Sequence, residues 1–179
     1  MRIGLLMVMA WAVLWSGGCA HVISKEVLKQ VNRELSFDQL RKDPASYRGQ
    51  TVLLGGVVVN ATYRQEGTLL EIYQTDMDWT EKPVNLDVSE GRFLALYEGF
   101  LDSEIYKKGR EVTLAGIVKG VKTMQLGEIH YHYPYLLIKE IYLWKEEKPQ
   151  VCDPTPWYPW GIWGPWGIWG PWYYPYWRY

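Results

Sequence analysis

Apolar residues are distributed along this chain in three different rhythms. Behind Met1-Arg2, residues Ile3 to Trp15 form an uninterrupted, uncharged apolar run. It is too short to cross a hydrocarbon core of about 30 Å as a helix. Between Thr51 and Trp144 the apolar positions come instead in short runs rich in β-branched and aromatic residues, separated by polar, glycine-bearing turns. That pattern predicts strands over Thr51–Val59, Thr68–Tyr73, Gly91–Tyr97, Arg110–Gly120 and Tyr135–Trp144. After Cys152 the rhythm changes again. Tryptophan recurs at every third position from Trp157 to Trp172, through the repeat Trp160-Gly161-Ile162-Trp163-Gly164-Pro165 and Trp166-Gly167-Ile168-Trp169-Gly170-Pro171. A period of three suits neither strand nor α-helix, but matches one turn of an extended polyproline-type helix.

The glycines inside two of the predicted strands, Gly55-Gly56 and Gly116, suggest bulges or sharp bends of the kind a small barrel needs at its corners. Gln65-Glu66-Gly67 reads as a hairpin turn. Trp79 to Val88, interrupted by Pro83, reads as a connection with a short edge strand, and Asp102 to Tyr106 as a helical turn. Ser36-Phe37-Asp38-Gln39 has the form of a capping box opening a short helix. Asp43-Pro44 ends that helix, because the residue before proline avoids the helical region. Residues 20–35 are polar with scattered aliphatics and read as a tether or loose helix. Five or six strands with one long connection predict a mainly β fold. A small, partly open barrel of the OB type with one or two short helices fits this count better than a nine-stranded sandwich.

The first apolar run ends in Ser16-Gly17-Gly18-Cys19. A basic start, an apolar core and small residues before a cysteine make a secretory signal peptide closed by a lipobox-like cleavage site. The expected organisation is a signal peptide over 1–18, a lipidated tether over 19–35, a β-barrel domain over 36–148 and a Trp/Gly/Pro-rich tail over 149–179. Acyl chains on Cys19, each buried CH₂ contributing about 0.8 kcal/mol, would make the anchor effectively permanent. The second cysteine, Cys152, is then left without a partner in the chain.

Charge removes one class of function. The formal net charge is −1, and no basic face of the kind that binds nucleic acid is visible. Candidate chemistry is sparse. Glu128, His130 and His132 alternate, so a strand through them would place all three on one face as a possible Zn²⁺ or Cu²⁺ set, with a solvent-facing hairpin as the plainer reading. Asp76, Asp78, Glu81 and Asp87 lack the spacing of a calcium loop. Glu71 and Asp102 are candidate acid–base carboxylates, but nothing in the pattern joins them. No nucleophile elbow or phosphate loop is present. The chain does not read as an enzyme, and no cofactor beyond the lipid is expected.

Gly49-Gln50-Thr51-Val52-Leu53-Leu54-Gly55-Gly56-Val57-Val58, Thr68-Leu69-Leu70-Glu71-Ile72, Gly91-Arg92-Phe93-Leu94-Ala95, Gly99-Phe100-Leu101-Asp102, Tyr131-His132-Tyr133-Pro134 and Leu143-Trp144, in this order, resemble the Slp family of starvation-inducible outer-membrane lipoproteins of Gram-negative bacteria. The resemblance covers about residues 19–145. It implies a lipid-anchored outer-membrane protein with a periplasm-facing β domain. Only Cys19 carries over as a functional position, since the family offers no catalytic residues. By the sorting rule of such lipoproteins, Ala20 rather than Asp after the cysteine favours the outer membrane.

Three readings of the tail stand side by side. Trp157, Trp160, Trp163, Trp166, Trp169, Trp172 and Trp177 could seat at the headgroup level of the bilayer, stack on glycan, or pack on the domain or a partner. The expected function is a non-enzymatic role in envelope maintenance or stress adaptation through binding or scaffolding, with the outer-membrane bilayer as partner. The alternative is a glycan- or polymer-binding or ligand-carrier module using the tail or the barrel face. Periplasmic metal binding is a weaker third.

Overall fold

The computed structural model describes residues 21–146. Five strands, β1 (Thr51–Arg64), β2 (Gly67–Thr75), β3 (Arg92–Tyr97), β4 (Glu111–Leu126) and β5 (Ile129–Leu143), follow two short helices, α1 (Lys25–Leu28) and α2 (Phe37–Lys42). They join in the order β1-β2-β3-β5-β4 and close on themselves. All neighbours are antiparallel except β3 and β5, which run parallel. The barrel is therefore closed, where the strand count alone suggested a partly open one.

Closure depends on β1, which is long enough to serve two neighbours. Its first half pairs with β4 and its second half with β2, and the two ladders overlap at Gly55, Gly56 and Val57. A side chain at Gly56 would strike the Tyr73 carbonyl oxygen and come within 2.7 Å of Ile72 Cγ2. The glycine pair thus serves close approach of strands. The β1 bulge itself falls beside it, at the register shift between Val58 and Asn60. β4 and β5 carry two more shifts, at Ala115/Gly116 and Val118/Gly120. These shifts bend the longest hairpin of the fold and re-aim its side chains.

Alternation separates two apolar layers. Leu54, Val58, Leu70, Ile72, Phe93, Ala95, Val112, Leu114, Val118, Leu136 and Ile138 fill the barrel. Leu69, Leu94, Leu96 and Tyr133 are buried on the opposite face of the same strands. The capping box at Ser36 forms as its spacing predicts, with both reciprocal bonds to Gln39. It starts α2, whose Phe37 and Leu40 join the barrel core and place Phe37 against Phe93 at 5.9 Å.

Of two connections, one differs from its sequence reading and one follows it. The Trp79–Val88 stretch holds no edge strand. It is a folded loop with a single bridge, Met77 to Pro83. Pro83 has no amide to donate, and the Asp78 carboxylate takes the amides of Thr80 and Lys82 and the Thr80 hydroxyl for itself. Local side-chain bonds of this kind compete with a ladder. They also hold the Asp78 carboxyl below the usual carboxylate range, the Thr80 hydroxyl bond being the largest cause. The Asp102–Tyr106 turn does form, through amide bonds from Ile105 and Tyr106 to the Asp102 carbonyl.

Residues 21–35, expected as a tether or loose helix, hold the short α1 and pack on the barrel. Ile23 and Leu28 are buried against Ala115, with Val22, Val27, Val31 and Leu53 around them. Val31 bridges Thr51 in parallel, the Ser24 amide donates to Glu140 Oε2 at 2.7 Å, and His21 Nδ1 lies 2.9 Å from Glu81 Oε1. The periodicity concealed this because the inward residues, Val22, Ile23, Val27, Leu28 and Val31, are scattered among exposed polar ones. Leu28→Ala should therefore destabilise the domain by about 2 kcal/mol, as truncation of a packed leucine does at the low end. Urea denaturation measures it, and a free tether would show no change.

Candidate binding surfaces

In OB barrels the outer face of the second and third strands, flanked by the first and fourth hairpin loops, is the usual platform for oligonucleotides and oligosaccharides. Here that face is closed by the protein's own side chains. Tyr133 of β5 is 2% exposed and reaches across to β2, where its hydroxyl donates to Glu71 Oε1 at 3.0 Å. Arg92 Nη1 donates to the same oxygen at 2.9 Å, and the Tyr131 hydroxyl accepts from the Arg92 amide at 3.3 Å. Met124, Tyr131, Tyr135 and Leu137 pack on Leu69, Leu94 and Leu96. Burial, with the bond to the Glu71 carboxylate behind it, pushes the Tyr133 phenol up to about 12.

What stays open is the rim beside the β1–β2 turn. A groove of about 560 Å³ is lined by Arg48, Glu66, Glu98, Lys119, Lys122 and Tyr135, among others. Its geometry follows from the β4 bulge. Arg48 Nε donates to the Lys119 carbonyl at 2.8 Å, and Gly120 at φ +119 passes under that guanidinium, where a Cβ would come within 3.3 Å. Lys122 Nζ sits 4.9 Å from the centre of the Tyr135 ring. Burial, and then the charges of Glu66 and Glu98, raise the Tyr135 phenol above its ordinary value. Glu66 also lines a neighbouring hollow of about 390 Å³ with Tyr63, Arg64 and Phe100. There Tyr63 and Phe100 stack at 5.2 Å and 14° although both are exposed. The Tyr63 hydroxyl is held by Ser103, donating to Oγ at 3.1 Å and accepting the amide at 3.0 Å. Flat aromatic surface beside cations and carboxylates can stack on an apolar ring face and bond hydroxyl, carboxyl or amine groups around it.

The residues singled out from sequence lie elsewhere. Glu128 sits in the β4–β5 turn, so it does not alternate with His130 and His132 on a strand. His132 Nδ1 lies 2.8 Å from Thr123 Oγ1. Among the described residues no group of three or more His, Cys, Asp or Glu could hold a metal ion, and the proposed Zn²⁺ or Cu²⁺ set is not assembled. Glu71 is tied to Arg92 and Tyr133, while Asp102 accepts the Glu104 amide at 2.8 Å; the two do not form an acid–base pair. Asp78 caps its own loop, and Glu81, at φ 69, faces His21. Cys19, Cys152 and the tail tryptophans Trp157, Trp160, Trp163, Trp166, Trp169, Trp172 and Trp177 lie outside the described residues. The groove residues went unnoticed in the sequence because they come from five separate stretches. Phe100, an aromatic residue in a polar turn after Gly99, was the one local signal.

The closed five-strand order with parallel β3 and β5 defines a small β-barrel of the OB class. The family profile described as "Outer membrane lipoprotein Slp family" matches residues 17–177. The chain belongs to that family, and its place is that of an outer-membrane lipoprotein. It is 30% identical over 115 residues to "Outer membrane protein Slp" of Escherichia coli K12, covering 64% of this chain and 61% of that protein. It is 31% identical over 117 residues to "Uncharacterized lipoprotein YeaY" of the same organism, covering 65% and 60%. The chain thus spans about three fifths of the length of these relatives. Among solved structures, the mitochondrial single-stranded DNA binding protein Rim1 of S. cerevisiae aligns with a TM-score of 0.32 at 11% identity, covering 55% of this chain and 98% of that one. Schizosaccharomyces pombe Pot1pC bound to ssDNA aligns with a TM-score of 0.29 at 14% identity, covering 57% and 84%. Scores this low carry no functional argument.

Tyr133→Phe should lower stability by about 2 kcal/mol, the usual loss for a hydrogen bond to a charged group. It should also change the alkaline limb. The folded-state value of Tyr133 lies above the ordinary value of 10.0, so its proton is held more tightly in the folded protein. That stabilisation is complete below pH 10 and is lost as the pH rises towards about 12. Chemical denaturation between about pH 9 and about pH 12, a range that spans the ordinary value and rises to the folded-state one, should show a shallower decline for the variant.

Proposed function

We propose that this protein is a membrane-held binding module of the cell envelope, with no chemistry of its own, serving envelope maintenance or adaptation under stress. One observation carries this reading. The described carboxylates that could do chemistry are engaged in the fold, Glu71 by Arg92 and Tyr133, Asp78 by its loop, and Asp102 by its turn. The exposed features are by contrast those of a recognition surface: the rim groove and the stacked Tyr63–Phe100 pair. Family membership supports the envelope setting.

A second reading, recognition of an envelope glycan, is favoured by that stacked pair alone. A Tyr ring fixed by Ser103 loses little entropy on binding a sugar face, and the groove beside it supplies both signs of charge. The preferred reading and its alternative share a test. The full-length lipoprotein carries a photocrosslinker at Arg64 in cells and is titrated with peptidoglycan fragments in vitro. Discrete crosslinks to an envelope protein that vanish in Tyr63→Ala plus Phe100→Ala support the binding module. Saturable fragment binding, weakened about tenfold or more in the same variant, as loss of an aromatic anchor implies, supports the glycan reading. Crosslinks no different from those of a probe at Glu26, with no fragment binding, remove this surface from the function.

A further inference from the structure

We infer that the face formed by α1 and the chain after it is the surface this protein lays against the membrane, through contact of Lys25, Lys29 and Arg33 with anionic phospholipid headgroups. The inference rests on the reading of Cys19 as the lipid anchor and extends it from attachment to orientation.

The geometry starts from covalent reach. One residue, Ala20, separates His21 from Cys19, and two extended residue steps span at most about 7 Å. His21 is no free end. It faces Glu81 at 2.9 Å, Ser24 is bonded to Glu140, Ile23 and Leu28 are buried, and the Asn32 amide donates to the Thr51 carbonyl at 2.8 Å. An anchor placed at Cys19 therefore leaves the barrel little slack. The surface around His21 must lie near the headgroups.

That surface has the matching charge. A cleft of about 510 Å³ is lined by His21, Lys25, Leu28, Lys29, Val31 and Arg33, with no carboxylate among them. Lys25, Lys29 and Arg33 are exposed. Among the described residues none of the three side chains takes part in an ion pair or hydrogen bond. The segment's own acids, Glu26 and Glu34, do not line the cleft. Basic side chains within a Debye length of an anionic leaflet each add to its attraction. Here a few suffice, because the anchor supplies the affinity and the cations need only select one face.

The test uses the full chain, acylated at Cys19, in a Cys152→Ser background. Single labels are placed at Lys29→Cys and Arg33→Cys, with Glu104→Cys and Glu128→Cys as controls. Vesicles are phosphatidylethanolamine with phosphatidylglycerol, and the readout is accessibility to a water-soluble nickel quencher. Labels at 29 and 33 should be several-fold less accessible than the controls. Adding Lys25→Gln and Arg33→Gln to the Lys29→Cys chain should shift the ratio of seated to unseated protein by about tenfold or more. Replacing phosphatidylglycerol by phosphatidylcholine should do the same. Equal accessibility at all four positions, in protein that floats with the vesicles, overturns the orientation and leaves the anchor intact. Protein that does not float overturns the anchor, and the orientation with it.

Discussion

The structure depends on a single crowded stretch in which β1 carries two ladders at once. At Gly55, Gly56 and Val57 the strand is paired to β4 on one edge and β2 on the other, and the barrel closes only because backbone can approach backbone there. The Tyr73 carbonyl lies where a Cβ on Gly56 would stand. Closing the barrel removes every open edge from the sheet and so removes the usual route to edge-to-edge association. The same closure requires a non-local step, the parallel pairing of β3 with β5 across Leu94–Tyr135 and Leu96–Leu137. It is bought with three register shifts that bend the long strands around the core.

Those shifts also determine what the surface can do. The bulge between Val118 and Gly120 turns β4 so that Lys122 and Met124 share a face with Tyr133 and Tyr131. The tyrosines then cover the outer face of β2 and β3, and the buried Tyr133 hydroxyl is satisfied by Glu71, itself held by Arg92. A platform that other OB barrels leave open for polymers is here an internal layer. The bulged Lys119 carbonyl, which has no place in the ladder, is taken by Arg48, and this bond shapes the groove at the rim. One irregularity in one strand thus closes one binding surface and builds another.

The N-terminal segment links this architecture to the envelope. Ile23 and Leu28 cover the outer face of β1 and β4 at Leu53 and Ala115, so the region next to the anchor and the barrel wall are one packed unit. Attachment through a packed segment differs physically from attachment through a tether. A tether leaves the domain free to rotate, whereas a docked segment would present the bilayer with one face, the one proposed above to bear Lys25, Lys29 and Arg33.

Much of the fold was legible because it is local. Strand positions followed from β-branched runs, and the start of α2 followed from Ser36 and Gln39, whose reciprocal bonds lie within one turn. The Slp resemblance rested on motifs spread along the same runs, and the family match agrees with it. Strand ends were less legible. β1 continues to Arg64 and β4 to Leu126 through polar residues, because their partners in the hairpins, and not their own hydrophobicity, keep them extended. The packing of the stretch read as a tether or loose helix was hidden for a related reason, since Ile23, Leu28 and Val31 become a pattern only against Leu53 and Ala115. The metal set was misplaced because Glu128 belongs to a turn and not to a strand. By itself, then, the sequence determined the class of fold, the family and the envelope setting, all of which are written in local pattern and short motifs. Only the tertiary structure decided that Tyr133 closes the platform on Glu71, that Arg48 and Tyr135 meet in a groove, and that the segment before the barrel packs on its outer face. Each of these joins residues far apart in the chain, and their meeting depends on barrel closure and strand register, which no local stretch encodes.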